Sequence, residues 1–420
     1  MIKNALTITI TRLIAAFITL ILVLATARIY GATGRGEISL LILGITLITI
    51  VAGVVAGPSL VYLLNKINVR NAYILSLSWI IISSICTGLI IIQLHLIAPN
   101  FYLWIMLLGA LQAAFQAHQY FVLASNNIRA FNYSTLLQSG SMVLFFIALE
   151  YINPHQITNY AIAQAGSCVV GIIPTLFYLF NINQSALQMN EELKHTAYTI
   201  IKTGIITQTA NIVQLLSYRL NFYVIKDQID VATVGIYSIS IMITDTILII
   251  SKSMGTSMYA SVASNKSCNS PQLATRNIQL SVLLTVVAYV LVAIVPQVLI
   301  VNLFSKEFIP VKEWCLLSAF SALLFTCTLG ISNYFSGNGA FTINTKGSLI
   351  AAISIVLLSW PSVYYYNVYG AILATTLASL TQLLYMWYVF KKQNTGVKLI
   401  QLLPSVVVIK QAIYQLKNKF

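Results

Sequence analysis

Polar side chains inside long apolar stretches are the residues of this sequence that could do chemistry. The stretch at 203–225 carries the most polar set, which falls within an arc of about 140° on a helix and consists of Gln208, Asn211, Gln214, Tyr218 and Arg219. A helix face this polar is unfavourable against lipid, so we expect it to line a cavity. The amides and the phenol can exchange hydrogen bonds with polar groups, and the guanidinium suits an anion such as a phosphate.

Two titratable residues near helix centres are candidates for ion binding or proton exchange. Asp245 shares a helix face with Lys252, but the two lie about 10.5 Å apart along the axis, too far for a routine direct pair. Asp245 is therefore expected either to pair with a cation on another helix or to bind a coupling ion. His118 is expected to be a neutral, hydrogen-bonded side chain or, alternatively, a proton relay.

The first apolar stretch contains two arginines. Arg12, Thr19 and Thr26 recur every seven residues and form one polar stripe, within about 40° on a helix. Arg28 points about 160° away from Arg12. Each arginine is expected either to contact an anionic substrate or to extend to a membrane interface.

The stretch at 101–124 carries Gln112, Gln116 and Gln119 on one stripe. These three amides are expected to line an aqueous cavity or to form hydrogen bonds between helices.

Several classes of site are excluded by what the sequence lacks. It contains no Walker A loop for an ATPase, and its histidines and cysteines have no metal-ligand spacing, so we expect no catalytic residue, cofactor or metal. The net charge of +14 arises from basic residues in short segments between apolar runs. This distribution indicates contact with lipid headgroups and no nucleic-acid partner.

The elements that position these residues are membrane-spanning helices. Hydrophobic residues make up 58% of the 420 residues and charged residues 8%, whereas a soluble domain is about 25% charged. The apolar windows between 5 and 390 are each about 20 residues long and do not alternate in polarity. We therefore predict an all-α integral membrane protein with about twelve transmembrane helices.

The positive-inside rule gives an orientation in the membrane. With a cytoplasmic N-terminus, the inside segments carry 16 Lys and Arg and the outside segments four, one of which is Arg35. Both termini are therefore predicted to be cytoplasmic. The predicted domains are a six-helix lobe at 1–190, a second six-helix lobe at 191–397 and a basic cytoplasmic tail at 398–420.

Ordered short motifs resemble the oligosaccharide flippases of the MOP exporter superfamily, which also contains the MATE drug exporters. The motifs are 27–37 (ARIYGATGRGE), 218–221 (YRLN), 234–238 (VGIYS), 303–308 (LFSKEF), 337–339 (GNG) and 369–371 (YGA). Asn221 stands where the family often has an acidic residue, and Ala32 where it often has proline.

The resemblance implies a MATE-like, V-shaped fold of two six-helix bundles. It also implies the translocation of a polyprenyl-pyrophosphate-linked oligosaccharide of O-antigen or capsule type to the periplasmic leaflet of the bacterial inner membrane. Arg28 and Arg219 take the family's arginine positions in helices 1 and 7. Membrane lipids, a polysaccharide polymerase and a chain-length regulator of lipopolysaccharide biosynthesis are the expected partners.

Two other functions stay open on the sequence. A MATE-like drug or metabolite antiporter usually exports cations from acidic cavities, whereas this chain has 9 acidic residues against 23 basic ones. A polytopic polysaccharide polymerase would carry a large outer loop for catalysis. The longest predicted outer loop, at about 302–313, is too short for one.

Overall fold

The computed structural model describes residues 2–63, 67–125, 127–180, 193–264 and 270–394, and all regular structure in these ranges is helical. This confirms the predicted all-α class. The basic tail at 398–420 and residues 181–192, around the predicted division at 190, lie outside the described residues. Residues 193–202 form the start of a long helix.

Contacts within the chain define two compact units, Met1–Ile212 and Val213–Phe420. The sequence placed the division at 190, in the hydrophilic segment before the seventh helix. The boundary between the units lies inside that helix, because residues up to 212 pack on the first unit and later residues pack on the second.

Unit 1 is built from helices that pack around a core of aliphatic and aromatic side chains. In order they are α1 (Ile2–Ala56), α2 (Ser59–Leu63), α3 (Val69–Gln93), α4 (Tyr102–Ala124), α5 (Ile128–Ile152), α6 (Thr158–Phe180) and the first part of α7 (Leu193–Gln228).

Unit 2 begins with the second part of α7 and has its own apolar cores. It continues through α8 (Val231–Ser264), α9 (Ser270–Ile294), α10 (Gln297–Leu303), α11 (Pro310–Leu317), α12 (Ala319–Gly337) and α13 (Phe341–Gln393).

Eight helices among the described residues are long and apolar enough to cross a membrane, or nine if α11 and α12, which meet at a 44° bend, form one span. Two of these helices, at Ile14–Val61 and Thr342–Gln393, have 48 and 52 residues and are each interrupted by a kink. A residue rises 1.5 Å, so each has about twice the length that a bilayer requires. The chain is therefore a multi-pass membrane protein, and the count of twelve helices stays a prediction.

Helix α1 consists of two helical parts that meet at Gly31, between the first two apolar windows of the sequence. Gly31 has φ 67° and ψ −167°, a conformation that side chains with a Cβ rarely adopt. Polar contacts brace this kink. The Tyr30 hydroxyl donates to Glu150 at the end of α5, and Asn159 Nδ2 of α6 donates to the same carboxylate at 2.8 Å.

Helix α3 shows how the sequence adapts a helix to lipid. Its buried residues are mostly small, among them Ser76, Ser83 and Gly88, whereas Ile81 and Leu89 are exposed. Small residues allow helices to approach closely, and large aliphatic side chains are soluble in lipid. The exposed aliphatic face is thus the one that meets lipid.

Candidate functional site

A cavity of about 300 Å³ lies in unit 1 between α1, α4, α5 and α6. Four glutamines line it, together with Thr19, Thr46, Thr49, Ser139 and Tyr160. The glutamines are Gln112, Gln116, Gln138 and Gln164. None of the described lining side chains carries a charge, so the cavity offers neutral hydrogen-bond donors and acceptors.

Hydrogen bonds across the helices hold the amides in place. Gln164 Nε2 of α6 donates to Gln112 Oε1 of α4 at 2.9 Å, and the Cys168 thiol donates to the same oxygen at 3.2 Å. Gln138 Nε2 of α5 lies 3.5 Å from Ser167 Oγ of α6. An amide has two donors and two acceptor lone pairs, so each glutamine keeps capacity for a ligand.

The predicted glutamine stripe of α4 is only partly in this cavity. Gln112 and Gln116 line it, whereas Gln119 Nε2 donates to Thr135 Oγ1 of α5 at 3.0 Å. Sequence reasoning did not single out Gln138 and Gln164. The signal was present, because an amide within an apolar span marks an interior position.

Gln208 and Asn211 of α7 line a smaller cavity of about 80 Å³, which shares Thr49 and Gln116 with the larger one. Gln208 Nε2 donates to the Gly53 carbonyl of α1 at 3.1 Å, and Asn211 Nδ2 donates to Gln208 Oε1 at 2.8 Å. These two predicted cavity residues therefore also fasten α7 to α1.

Glycines make this close contact between α1 and α7 possible. A Cβ at Gly53 would lie 2.5 Å from Gln208 Nε2, and one at Gly57 would lie 2.7 Å from it. On α7, a Cβ at Gly204 would collide with the Val54 carbonyl oxygen. The G-x-x-x-G pattern that Gly53 and Gly57 form in α1 therefore serves close helix packing.

In unit 2, Arg219 and Asp245 form one ion pair. Arg219 Nη2 of α7 donates to Asp245 Oδ2 of α8 at 2.8 Å, and the two side chains are 33% and 40% exposed. The guanidinium also lies over the Phe222 ring, 5.2 Å from its centroid. The cation expected on another helix as a partner of Asp245 is thus the predicted phosphate-binding arginine.

His118 is buried and both ring nitrogens have partners. Nδ1 lies 2.7 Å from the Ala114 carbonyl oxygen, and Nε2 lies 3.1 Å from the Tyr73 hydroxyl. A carbonyl accepts only, so Nδ1 carries a proton, and Nε2 shares a hydrogen bond with the Tyr73 hydroxyl. These contacts give His118 an interhelical role between α4 and α3.

The remaining predicted arginines lie on α1. Arg28 is exposed near the kink. The side chains of Arg12 and Tyr218 lie outside the described residues, although both positions are helical. Thr19 of the predicted Arg12 stripe lines the larger cavity, and Thr26 is buried.

Arg35, which the sequence-based topology counts among the cations of the outside segments, lies four residues after the break of α1 at Gly31. It lies inside α1 and is 6% exposed, and its Nη1 is 3.4 Å from Thr26 Oγ1. Its Nε is buried without a hydrogen-bond partner among the described residues.

The sequence matches no protein-family model, and no curated protein matches it. Solved structures do share its fold. The lipid II flippase MurJ in an inward closed conformation aligns with a TM-score of 0.72 and 13% identity, covering 93% of this chain and 88% of that one. An inward-facing MATE multidrug transporter of the MOP superfamily has a TM-score of 0.69 and 13% identity, covering 93% and 99%.

A third structure is a MOP superfamily transporter from Pyrococcus furiosus, described as having a binding pocket of reversed polarity. It aligns with a TM-score of 0.64 and 12% identity, covering 93% of this chain and 96% of that one. Identities this low establish the fold and leave the substrate undefined. The chain is a multi-pass, all-α membrane protein with the MATE-like fold of MOP superfamily transporters.

Proposed function

We propose that this protein is a flippase for polyprenyl-pyrophosphate-linked oligosaccharide repeat units of the O-antigen or capsule type. In this proposal it moves them from the cytoplasmic to the periplasmic leaflet of the bacterial inner membrane. The observation that carries the proposal is the cavity of unit 1, about 300 Å³ in volume and lined by four glutamines without a charged side chain.

The lining chemistry suits a sugar. Sugar hydroxyls both donate and accept hydrogen bonds, and a glutamine amide does the same from one side chain. A volume of about 300 Å³ is at the lower end of the range for small-ligand sites, so the cavity would hold one sugar unit of a repeat rather than the whole repeat. The aliphatic lining residues Leu22, Ile45 and Met142 would contact the apolar ring faces.

The same lining argues against the antiporter alternative. Export of organic cations is favoured by carboxylates that balance the ligand's charge, and no described residue lining this cavity is acidic. A transporter of neutral or anionic groups fits the residues present.

Binding of the pyrophosphate group requires cations. Among the residues that the structure describes, Arg219 is the best-placed candidate. Its guanidinium has five N–H donors, and one of these reaches Asp245. A third of the side chain is exposed, so the remaining donors can meet a phosphate oxygen by charge-assisted contacts. Arg28, which is exposed, and Arg12 are assigned the same role from the resemblance and the helical stripe.

The assignment as a flippase implies a set of partners. Polyprenyl-pyrophosphate-linked oligosaccharide is the substrate, and a polymerase and a chain-length regulator would receive it on the periplasmic side. The protein itself is proposed to act as a transporter and not as an enzyme.

Flipping in proteoliposomes tests the proposal. The purified protein is reconstituted with lipid-linked oligosaccharides extracted from the producing cells, and an impermeant oxidant measures the sugars on the outer leaflet. The wild type should expose sugars of the inner leaflet within the assay. The Gln112→Leu/Gln164→Leu variant should flip at least about tenfold more slowly, because two amides that meet sugar hydroxyls are lost.

Gln93→Leu is the matched control, since Gln93 is exposed at the end of α3 and does not line the cavity. It should flip at the wild-type rate. Proton-driven efflux of a cationic dye without any lipid flipping by the wild type would overturn the proposal in favour of an antiporter.

A further inference from the structure

Arg35 is a buried cation without a counter-ion. It is 6% exposed, and it forms no ion pair among the residues that the structure describes. Its described hydrogen bond, 3.4 Å long, goes to the neutral Thr26 hydroxyl, and its Nε is buried without a partner. Burying an unpaired charge is costly, so such a group is expected to meet an anion in some functional state.

Helix geometry places Arg35 at one end of the cavity of unit 1. After the kink, α1 is regular, and Arg35, Ile42, Thr46 and Thr49 fall within an arc of about 60° on it. The last three of these residues line the cavity. Arg35 therefore lies on the cavity-facing side of α1, two turns beyond Ile42.

Helix α6 also extends from the cavity toward Arg35. Tyr160 and Gln164 of α6 are one turn apart and both line the cavity. Tyr160 is itself 5% exposed and lies within electrostatic range of Arg35. The Tyr160 end of the cavity is therefore the end nearer to the guanidinium.

The carboxylates of this region are not available to Arg35. Glu37 follows two residues later, about 200° around the helix, and so lies on the opposite side of α1. Glu150 accepts from the Tyr30 hydroxyl, Asn159 Nδ2 and the His155 backbone amide. The positive charge next to the glutamine cavity therefore remains uncompensated among the described residues.

We propose that the cavity of unit 1 binds a sugar carrying a carboxylate or a phosphate, and that Arg35 is the residue that selects the anionic sugar. The four glutamines and Tyr160 bind the hydroxyls, and the anionic group lies at the Tyr160 end, next to the guanidinium. The inference rests on the proposed function in one respect, that the sugar belongs to the flipped lipid. Binding itself requires no flipping.

Ligand binding to the full-length protein in lipid nanodiscs tests the inference. Saturation-transfer NMR is used to measure the affinities of methyl β-glucuronide, glucose 6-phosphate and the neutral methyl β-glucoside. The wild type should bind at least one of the anionic probes about tenfold more tightly than the neutral one, the size expected for a charge-assisted contact. Which anionic probe binds more tightly distinguishes a carboxylate from a phosphate.

Arg35→Gln should remove the preference for the anionic probes and leave binding of the glucoside within about twofold of wild type, since the glutamines are intact. Arg129→Gln is the matched control, because Arg129 is exposed on α5 of the same unit. It should keep the preference. If Arg35→Gln does not fold, Arg35→Met/Thr26→Val replaces the charge and its hydroxyl partner by apolar groups, which membrane helices tolerate.

Equal binding of all three probes by the wild type would overturn the inference, as would a preference that survives the loss of Arg35. Either result leaves the flippase proposal standing if flipping is observed. Conversely, a protein that prefers anionic sugars but flips no lipid would retain the site assignment and lose the proposed function.

Discussion

At the scale of single residues, the Arg219–Asp245 pair links two side chains that the sequence had assigned to different tasks. The atoms that meet, Nη2 and Oδ2, are 2.8 Å apart, and both side chains remain more than 30% exposed. A phosphate that binds Arg219 would compete with Asp245 for the same donors. Binding of an anionic headgroup to Arg219 is therefore expected to weaken the contact between Arg219 and Asp245.

The first prediction concerns the stability of this pair. Arg219→Ala and Asp245→Ala should each lower the melting temperature, because each leaves one charge without its partner. The double variant should lose less stability than the two single variants lose together. The difference, which is the coupling energy of the pair, should be only about 1 kcal/mol because both side chains are partly exposed to solvent. Thermal unfolding of the purified protein measures it. Lys346→Ala, at an exposed position of α13, is the control and should not differ from wild type.

Additive losses in that cycle would show that the two charges do not stabilise each other. The cycle also separates stability from transport for Arg219. Arg219→Lys keeps a positive charge beside Asp245 but loses the planar fork, so it should keep most of the stability and only part of the flipping rate.

The second prediction concerns coupling to protons. If Asp245 carries a proton when the headgroup occupies Arg219, Asp245→Asn should still bind lipid-linked oligosaccharide and should flip it at a rate that no longer responds to a pH gradient. Proteoliposomes with and without an imposed gradient measure this response. A stable Asp245→Asn variant with the wild-type response would leave Asp245 a structural partner of Arg219.

At the scale of elements, the contact between α1 and α7 depends on missing side chains. Gly53 and Gly57 of α1 and Gly204 of α7 allow the two helices to approach until Gln208 reaches the Gly53 carbonyl. The small cavity with Gln208 and Asn211 exists because of this approach. The polar face of α7 therefore lines the small cavity and also forms the hydrogen bond that holds α7 against α1.

The third prediction follows from that approach. Gly204→Ala should destabilise the protein by about 1–3 kcal/mol, because its Cβ would collide with the Val54 carbonyl of a neighbouring helix. Gly140→Ala is the matched control, since a Cβ there meets nothing within 4 Å. It should be neutral or should stabilise α5 by about 0.5–1 kcal/mol through helix propensity. Melting temperatures that rank the two variants the other way round would refute the packing argument.

At the scale of the whole molecule, the distribution of cations along the chain predicts the topology. The inside segments carry 16 Lys and Arg and the outside segments four, one of which, Arg35, is buried. This bias predicts cytoplasmic ends.

The fourth prediction is this topology. Reporter fusions at Asn190 and at the C-terminus should be active with a reporter that works in the cytoplasm and inactive with one that works in the periplasm. A fusion after Gly339, within a short segment preceding Lys346, should also report the cytoplasm. A periplasmic signal at any of these positions would reverse the assignment of the segment concerned.

The sequence by itself determined that the surface of this protein faces lipid and that its fold is all-α. A chain with 8% charged residues cannot cover its surface against water, and backbone groups in lipid must be bonded within helices. It also marked Gln112, Gln208 and Asn211 as interior positions, because an amide is costly against lipid. For each of these residues, the periodicity of its own helix was enough to predict that the side chain points toward the protein interior.

Tertiary structure decided which polar residues meet. Gln112 and Gln119 share a stripe of α4, yet one meets Gln164 and the other Thr135. The pairing of Arg219 with Asp245 and the burial of Arg35 depend in the same way on which helices become neighbours. Helical periodicity gives the direction of a side chain around its own axis, whereas its partner depends on packing between helices distant in sequence.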